Sequence, residues 1–304
     1  MGNPLDIPGC VLWLRADLGV TYVQGPVTAT GTTPPAVTLT GQPVSPSTSL
    51  EIDITLGGLR GTAVFSWKLN GVVQQTLQLT AATFALGTTG VTANFAAGTY
   101  TNDNVYTSVV VVSTWADQSS LANAAVQATA SNRPSYNAVD SSYNGSPSLS
   151  FAKAASQSMA TGSIATYAQP YTIIFVANDD AGGAYVVVSG TTSVSGIYTN
   201  SGPISIYAGS AHGSATSMSN PTVVAGIFNG ANSTLYANSS SVPILTTSPG
   251  SGALDGTVAI GNSGLAGPMN GKIAEVVVYS NALTTSQLRS LFMYLGSRYA
   301  ITVS

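Results

Sequence analysis

Along most of the chain, apolar residues recur with a period of two, in short runs that stop at Gly, Pro, Asn or Ser. Phe65 and Trp67 alternate with Ser66 and Lys68, which puts the two aromatics on one face of a strand. The rhythm breaks near the end of the chain. Ile273 to Tyr279 is a nearly continuous apolar run rich in β-branched residues, the pattern of a strand covered on both faces. Asn281 ends it. Thr284 and Gln287 then have capping-box spacing, and Leu288, Leu291, Phe292, Leu295 and Tyr299 follow at intervals of three and four. These signals predict the one substantial helix of the protein.

The rest reads as strands. Between Tyr22 and Tyr106 the runs 36–39, 49–56, 63–69, 72–79 and 99–105 alternate, and Asn70-Gly71 between the third and fourth is a two-residue hairpin signal because both residues tolerate positive φ. This stretch suffices for a small antiparallel sandwich. After Val112 come runs at 148–151, 171–178, 184–189, 204–209, 222–229, 232–237 and 257–261, with 171–177 the most apolar. So many short strands need two faces to bury, which predicts an all-β sandwich of two antiparallel sheets. The 273–279 strand is expected to pair with the N-terminal strand around Leu12 to Leu14, and the helix to close one end of the sandwich.

Composition narrows the function classes. The 304 residues are 44% apolar, ample for a core, yet only 6% are charged and the net charge is -3. Three lysines and five arginines make no basic stripe for phosphates, so neither nucleic-acid binding nor cationic membrane attachment is expected. No apolar run approaches the roughly 20 residues that span a bilayer, so no membrane insertion is expected. The start lacks a basic region followed by a long apolar one, which reads as no secretory signal. A lone Cys10 excludes an intrachain disulfide and is read as buried and inert beside Trp13.

Five segments taken together resemble a known family. They are LWLRADLG at 12–19, TWADQSS at 114–120, ATASNRPSY at 128–136, NGSPSLSF at 144–151 and NGKIAEVVVYSNAL at 270–283. The set resembles the laminin-G-like branch of the concanavalin A-like lectin/glucanase superfamily in its bacterial and phage form, over about 1–20 and 109–304. Ser120 stands where that family usually has glycine, and Ala152-Lys153 where members often carry F-D-G. The resemblance implies a jelly-roll sandwich formed by 1–21 and 109–304, with 22–108 inserted in a loop. The inserted segment, through LRGTAVFSWKLNGVV and ALGTTGVTANFAAGTYTNDNVYT, resembles an immunoglobulin-like module of phage tail and other virion proteins. The fold class expected is therefore a concanavalin A-like jelly roll carrying a small immunoglobulin-like β-sandwich and one C-terminal helix.

No catalytic constellation is legible. Glycosidic hydrolysis needs two carboxyl groups about 5–9 Å apart. The chain has only Glu51 and Glu275 as glutamates, the first in the insert and the second alone in its strand. Asp179 and Asp180 are adjacent and would face opposite ways on a strand. His212, the single histidine, reads as an exposed loop residue, and one histidine with one cysteine cannot make a zinc site of the usual type. Calcium is the cofactor to consider, with Asp117 and Asn123, Asn102-Asp103-Asn104 or Asp179-Asp180 as oxygen donors; turn capping explains each equally well. Trp13, Trp115 and Asp117 are expected to be structural, the tryptophans in the core and the aspartate accepting amides of the following turn. Tyr185, Tyr198, Tyr207 and Tyr236 would stack on sugar faces if exposed on a concave sheet.

The expectation is a non-enzymatic virion structural protein, assembled in the host cytoplasm as capsid decoration or with a tail or fibre. Its work would be adhesion or particle stabilisation, and its partners other virion proteins or copies of itself. The alternatives are a carbohydrate-binding module for a host surface polysaccharide, placed extracellularly or on a cell surface, and a polysaccharide-degrading enzyme.

Overall fold

The computed structural model describes residues 3–46, 48–180, 185–191, 195–200, 202–263 and 266–304. The chain divides into two compact units, Met1–Thr21 with Ser113–Ser304, and Tyr22–Val112.

The larger unit is a jelly-roll sandwich. At the centre of its first sheet lies Gly271–Tyr279, with Tyr171–Asp179 along one edge and both Cys10–Arg15 and Ser148–Phe151 along the other. Thr222–Phe228, Ser233–Ala237 and Leu245–Thr247 extend the sheet beyond Tyr171–Asp179. The second sheet runs Ala125–Val126, Met159–Thr161, Val258–Ile260, Tyr185–Gly190, Gly196–Thr199, Pro203–Tyr207, Ala211–Ser217. Every pairing named is antiparallel. The expected partnership of the chain's two ends is present in register, with Leu12 opposite Val278, Trp13 opposite Val277 and Leu14 opposite Val276.

The apolar runs that lack alternation are strands with both faces covered. Every residue of Tyr171–Asp179 and of Thr222–Phe228 is buried. The helix Thr285–Tyr299 lies against the outer face of the first sheet. Its Leu288, Leu291, Phe292, Leu295 and Tyr299 pack on Ile174, Val176, Val223, Ala225, Ile227, Val277 and Tyr279. This corrects the expectation that the helix closes an end: the face it covers is apolar over three strands, an area no end loop could bury. Burial of each such side chain contributes about 2 kcal/mol.

Local chemistry fixes both ends of the helix. Thr284 Oγ1 accepts the Gln287 amide at 3.3 Å, and Gln287 Oε1 accepts the Thr284 amide at 2.9 Å. After Ala300, in the left-handed conformation, the chain folds back over Gly296, where a Cβ would stand 2.8 Å from the Ile301 carbonyl oxygen.

The smaller unit alternates more openly. Ser49–Leu56, Val64–Leu69 and Val72–Leu79 form one sheet, and Val37–Gly41, Val91–Phe95 and Phe84–Ala85 another. The hairpin turn falls at Asn70 and Gly71, with φ of 52° and 79°. Leu50, Ile52, Ile54, Phe65, Trp67, Val91, Ala93 and Phe95 point into a common core. Phe65 meets both Phe84 and Phe95 at ring separations of 5.0 Å.

Candidate functional site

The strand Tyr171–Asp179 is apolar from Ile173 to Ala177, after which Asn178, Asp179 and Asp180 follow in sequence. Backbone bonds hold this end from two sides: Asp179 N donates to Met218 O at 2.7 Å and Asp180 N to Asn270 O at 2.9 Å. The buried Tyr143 hydroxyl donates to Asn178 Oδ1 at 2.7 Å, and the Asn178 amide donates in turn to Asp180 Oδ1. Asp179 is thus the last residue of the strand and Asp180 the exposed residue that follows it. They line a groove of about 450 Å³ whose other walls include Pro203, Ser217, Met218 and Ser219. Carboxylate acceptors and hydroxyls beside apolar Pro and Met surface suit a polyhydroxylated ligand.

The other carboxylates are engaged in the fold. Asp117 Oδ1 accepts the amides of Trp13 and Ser119, both at 2.8 Å, and its Oδ2 accepts Ser119 Oγ at 2.6 Å and the Asn123 amide at 2.8 Å. Asn123 donates its side-chain amide to Val11 O at 3.1 Å. These bonds tie the turn at Asp117 and Asn123 to the N-terminal strand. Asp140 accepts Ser148 Oγ at 2.6 Å and pairs with Lys272 at 3.0 Å. Burial disfavours its charge, but these partners win and hold its carboxyl below the usual range. Asp103 accepts the Thr32 amide and hydroxyl at 2.8 and 2.7 Å. Among the described residues, no three His, Cys, Asp or Glu side chains are grouped to hold a metal.

Glu275 is the residue local sequence reasoning left alone, and it has the densest surroundings. Fully buried between sheet and helix, it accepts Trp13 Nε1 at 2.6 Å on Oε1 and the Tyr299 hydroxyl at 2.8 Å on Oε2. Arg298 Nε stands 3.9 Å from Oε2, too far for a hydrogen bond. Burial pushes the Glu275 carboxyl up to about 7, against the pull of the Trp13 and Tyr299 hydrogen bonds and of Arg298 and Arg15. Asp17 binds both arginines, through Arg15 Nε at 2.6 Å and through Arg298 Nη2. The available signal was a charged residue inside an apolar strand, which demands buried partners.

The four tyrosines do not share one surface. Tyr198 and Tyr207 lie on neighbouring strands of the second sheet and on the same face, since Tyr198 pairs with Ser205 and Tyr207 with Gly196. Tyr198 is buried and Tyr207 half-buried. Tyr185, also buried, has the Lys153 ammonium 5.0 Å from its ring centre. Tyr236 is on the first sheet, packed against the helix cluster. Trp13 and Trp115 are both buried, Trp115 completely.

Two further residues sit differently from, or as, expected. His212 is on the strand Ala211–Ser217 and not in a loop, with Nδ1 2.7 Å from Thr247 Oγ1, so it joins the edge strands of the two sheets. Cys10 is half-buried against the cluster that contains Trp13, and burial, with the nearby Asp117 charge, pushes its thiol up to about 12.

Two antiparallel sheets, one backed by a C-terminal helix, define the larger unit as a jelly-roll sandwich. Residues 156–289 match the family model of the concanavalin A-like lectin/glucanases superfamily. Two solved structures are similar to this chain, the first at the level of fold. An arabinofuranosidase complexed with arabinofuranosyl-α-1,2-xylobiose is similar over 95% of this chain and 63% of its own, with 12% identity and a TM-score of 0.51. A Trypanosoma rangeli sialidase in complex with the inhibitor DANA is similar over 59% of this chain and 30% of its own, with 14% identity and a TM-score of 0.41. In both cases the chain spans less than two thirds of the similar protein's length. No curated protein sequence matches this chain significantly.

Proposed function

We propose that this is a non-enzymatic structural protein of a virion surface, acting in adhesion or particle stabilisation. The observation that carries the non-catalytic part is the placement of the carboxylates. Glu275 is enclosed under the helix, and Glu51 is ion-paired with Lys68 in the smaller unit. Asp17, Asp103, Asp117 and Asp140 accept the hydrogen bonds described above. Asp179 and Asp180, the pair lining the groove, are chain neighbours on one wall and do not flank a bond from opposite sides as acid–base hydrolysis requires. The virion location is supported by the resemblance of the 22–108 stretch to virion modules and by a surface with so little charge that copies can pack closely. Antiserum against the protein should label purified phage particles by electron microscopy. A protein found free in lysates and missing from particles contradicts the proposal.

The groove favours one second reading, recognition of a host surface polysaccharide by the larger unit. On a glycan array the protein should bind at least one bacterial envelope glycan, and Asp180→Ala should weaken that signal about tenfold, the loss of roughly one charge-assisted hydrogen bond. Equal binding by both proteins would remove the groove from consideration.

A further inference from the structure

The smaller unit holds a second cavity, of about 240 Å³, between the Val72–Leu79 edge strand and the turn at 87–89. Trp67 and Leu69 form its floor, Gln74 and Gln75 one wall, and Gly87, Thr88 and Thr89 the other. Among the described residues, no charged side chain lines it. Trp67 is nearly covered, and its Cζ2–Cη2 edge is the part nearest the lining residue Gly87. Gly87 matters here: it has φ +57°, and a Cβ there would stand 3.3 Å from Trp67 Cζ2 and 3.4 Å from Cη2. A side chain larger than glycine's would press on that ring.

Hydrogen bonding within the pocket leaves a mixed set of groups. Trp67 Nε1 donates to Gln75 Oε1 at 3.0 Å, which fixes the amide and leaves its NH₂ as a donor. Gln74 Nε2 donates to Val72 O at 3.0 Å, which leaves Oε1 as an acceptor. Thr89 is committed to Leu86 O at 2.7 Å, whereas Thr88 is exposed.

We propose that this pocket binds a single uncharged sugar residue of a neutral polysaccharide. Its apolar floor, the Trp67 ring edge with Leu69, meets C–H groups of a pyranose by edge contact, and the two amides and the Thr88 hydroxyl fit the hydroxyl rim. The absence of charge at the pocket selects against sialic or uronic acids. Its volume is below the range of drug-sized sites, about 300–1,000 Å³, and admits one sugar unit at a time. The site is independent of the Asp179–Asp180 groove.

The test uses the full chain labelled with 5-fluorotryptophan, whose three tryptophan signals are read by fluorine NMR while glucose, galactose, N-acetylglucosamine and their linear oligosaccharides are added. At least one of these should move the Trp67 signal saturably at millimolar concentration. Thr88→Phe should close the mouth and abolish the shift with unchanged melting, and Asp180→Ala should leave it intact. If Thr88→Phe melts lower, Gln74→Ala serves instead, with at least a threefold weaker affinity expected. No Trp67 shift from any neutral sugar up to about 10 mM overturns the proposal. So does a shift that persists in the pocket variant, or one that Asp180→Ala removes.

Discussion

The first sheet of the larger unit and the Ser49–Leu79 sheet of the smaller one meet the same physical problem in different ways. In the larger unit the helix covers the outer face, so Gly271–Tyr279 is buried along nearly its whole length and can be apolar on both sides. In the smaller unit the strands alternate, as in Val91–Phe95, and the outer face of the Ser49–Leu79 sheet leaves Leu56 and Leu79 exposed at 61% and 56%. Leu56 and Leu79 both pair with Val64, so two exposed leucines flank a half-buried valine in one apolar row. A leucine under the helix and a leucine in this row are the same residue chemically, and burial alone should separate their effects.

Removing 284–304 is the severest test of this contrast. It strips the cover from the first sheet, and calorimetry should show loss of the larger unit's cooperative transition while that of the smaller unit survives. A truncated chain that keeps both transitions refutes the assignment of the helix to the core. Leu295→Ala should cost about 3 kcal/mol in denaturant unfolding, because it opens a cavity under the helix.

The acid dependence should be comparable and of unusual sign. The folded Glu275 carboxyl is raised from 4.5 to about 7, so the unfolded chain binds fewer protons between those values. Its contribution to stability is complete below about 4.5 and is lost as pH rises through about 7, on the order of 3 kcal/mol at most. Asp17 and Asp140 are shifted the other way and lose their contributions only on acidification below the ordinary aspartate range, so they do not mask this window. The larger unit should therefore melt higher at pH 5 than at pH 8, and Glu275→Gln should flatten that difference. Trp13→Phe keeps most of the ring volume but leaves Oε1 without its donor, for an expected cost of about 2 kcal/mol. At the bottom of the scale, Leu79→Ala in the apolar row should change stability by less than about 0.5 kcal/mol.

What could be read from the sequence was what local spacing encodes. The capping box at Thr284 and Gln287, the helical stripe from Leu288 to Tyr299, and the Asn70-Gly71 turn each involve residues within a few positions of one another. The pairing of the chain's ends was also accessible, because two unusually apolar strands need each other. The position of the helix was not, since an apolar stripe fixes which side of a helix is buried but not which surface receives it. The environment of Glu275 was hidden for the same reason: Trp13 is 262 positions away, and only the fold brings it to Oε1. His212 misled because Gly, Ser and Ala around it read as loop, while its strand is held by pairing at a sheet edge. In the candidate groove the residues were visible as Asp179-Asp180, but the wall containing Ser217 and Met218 depends on packing at the sheet end.

The claim on which the non-catalytic reading rests is that Glu275 is a buried structural carboxyl joining sheet to helix. Carbon-13 NMR of the Glu275 side-chain carboxyl across pH 3 to 9 tests it directly. A midpoint near 7 is expected, with the Trp13 indole N–H signal moving in the same transition. A midpoint near the ordinary 4.5 with no response from Trp13 would mean a solvent-accessible carboxylate, and would contradict it.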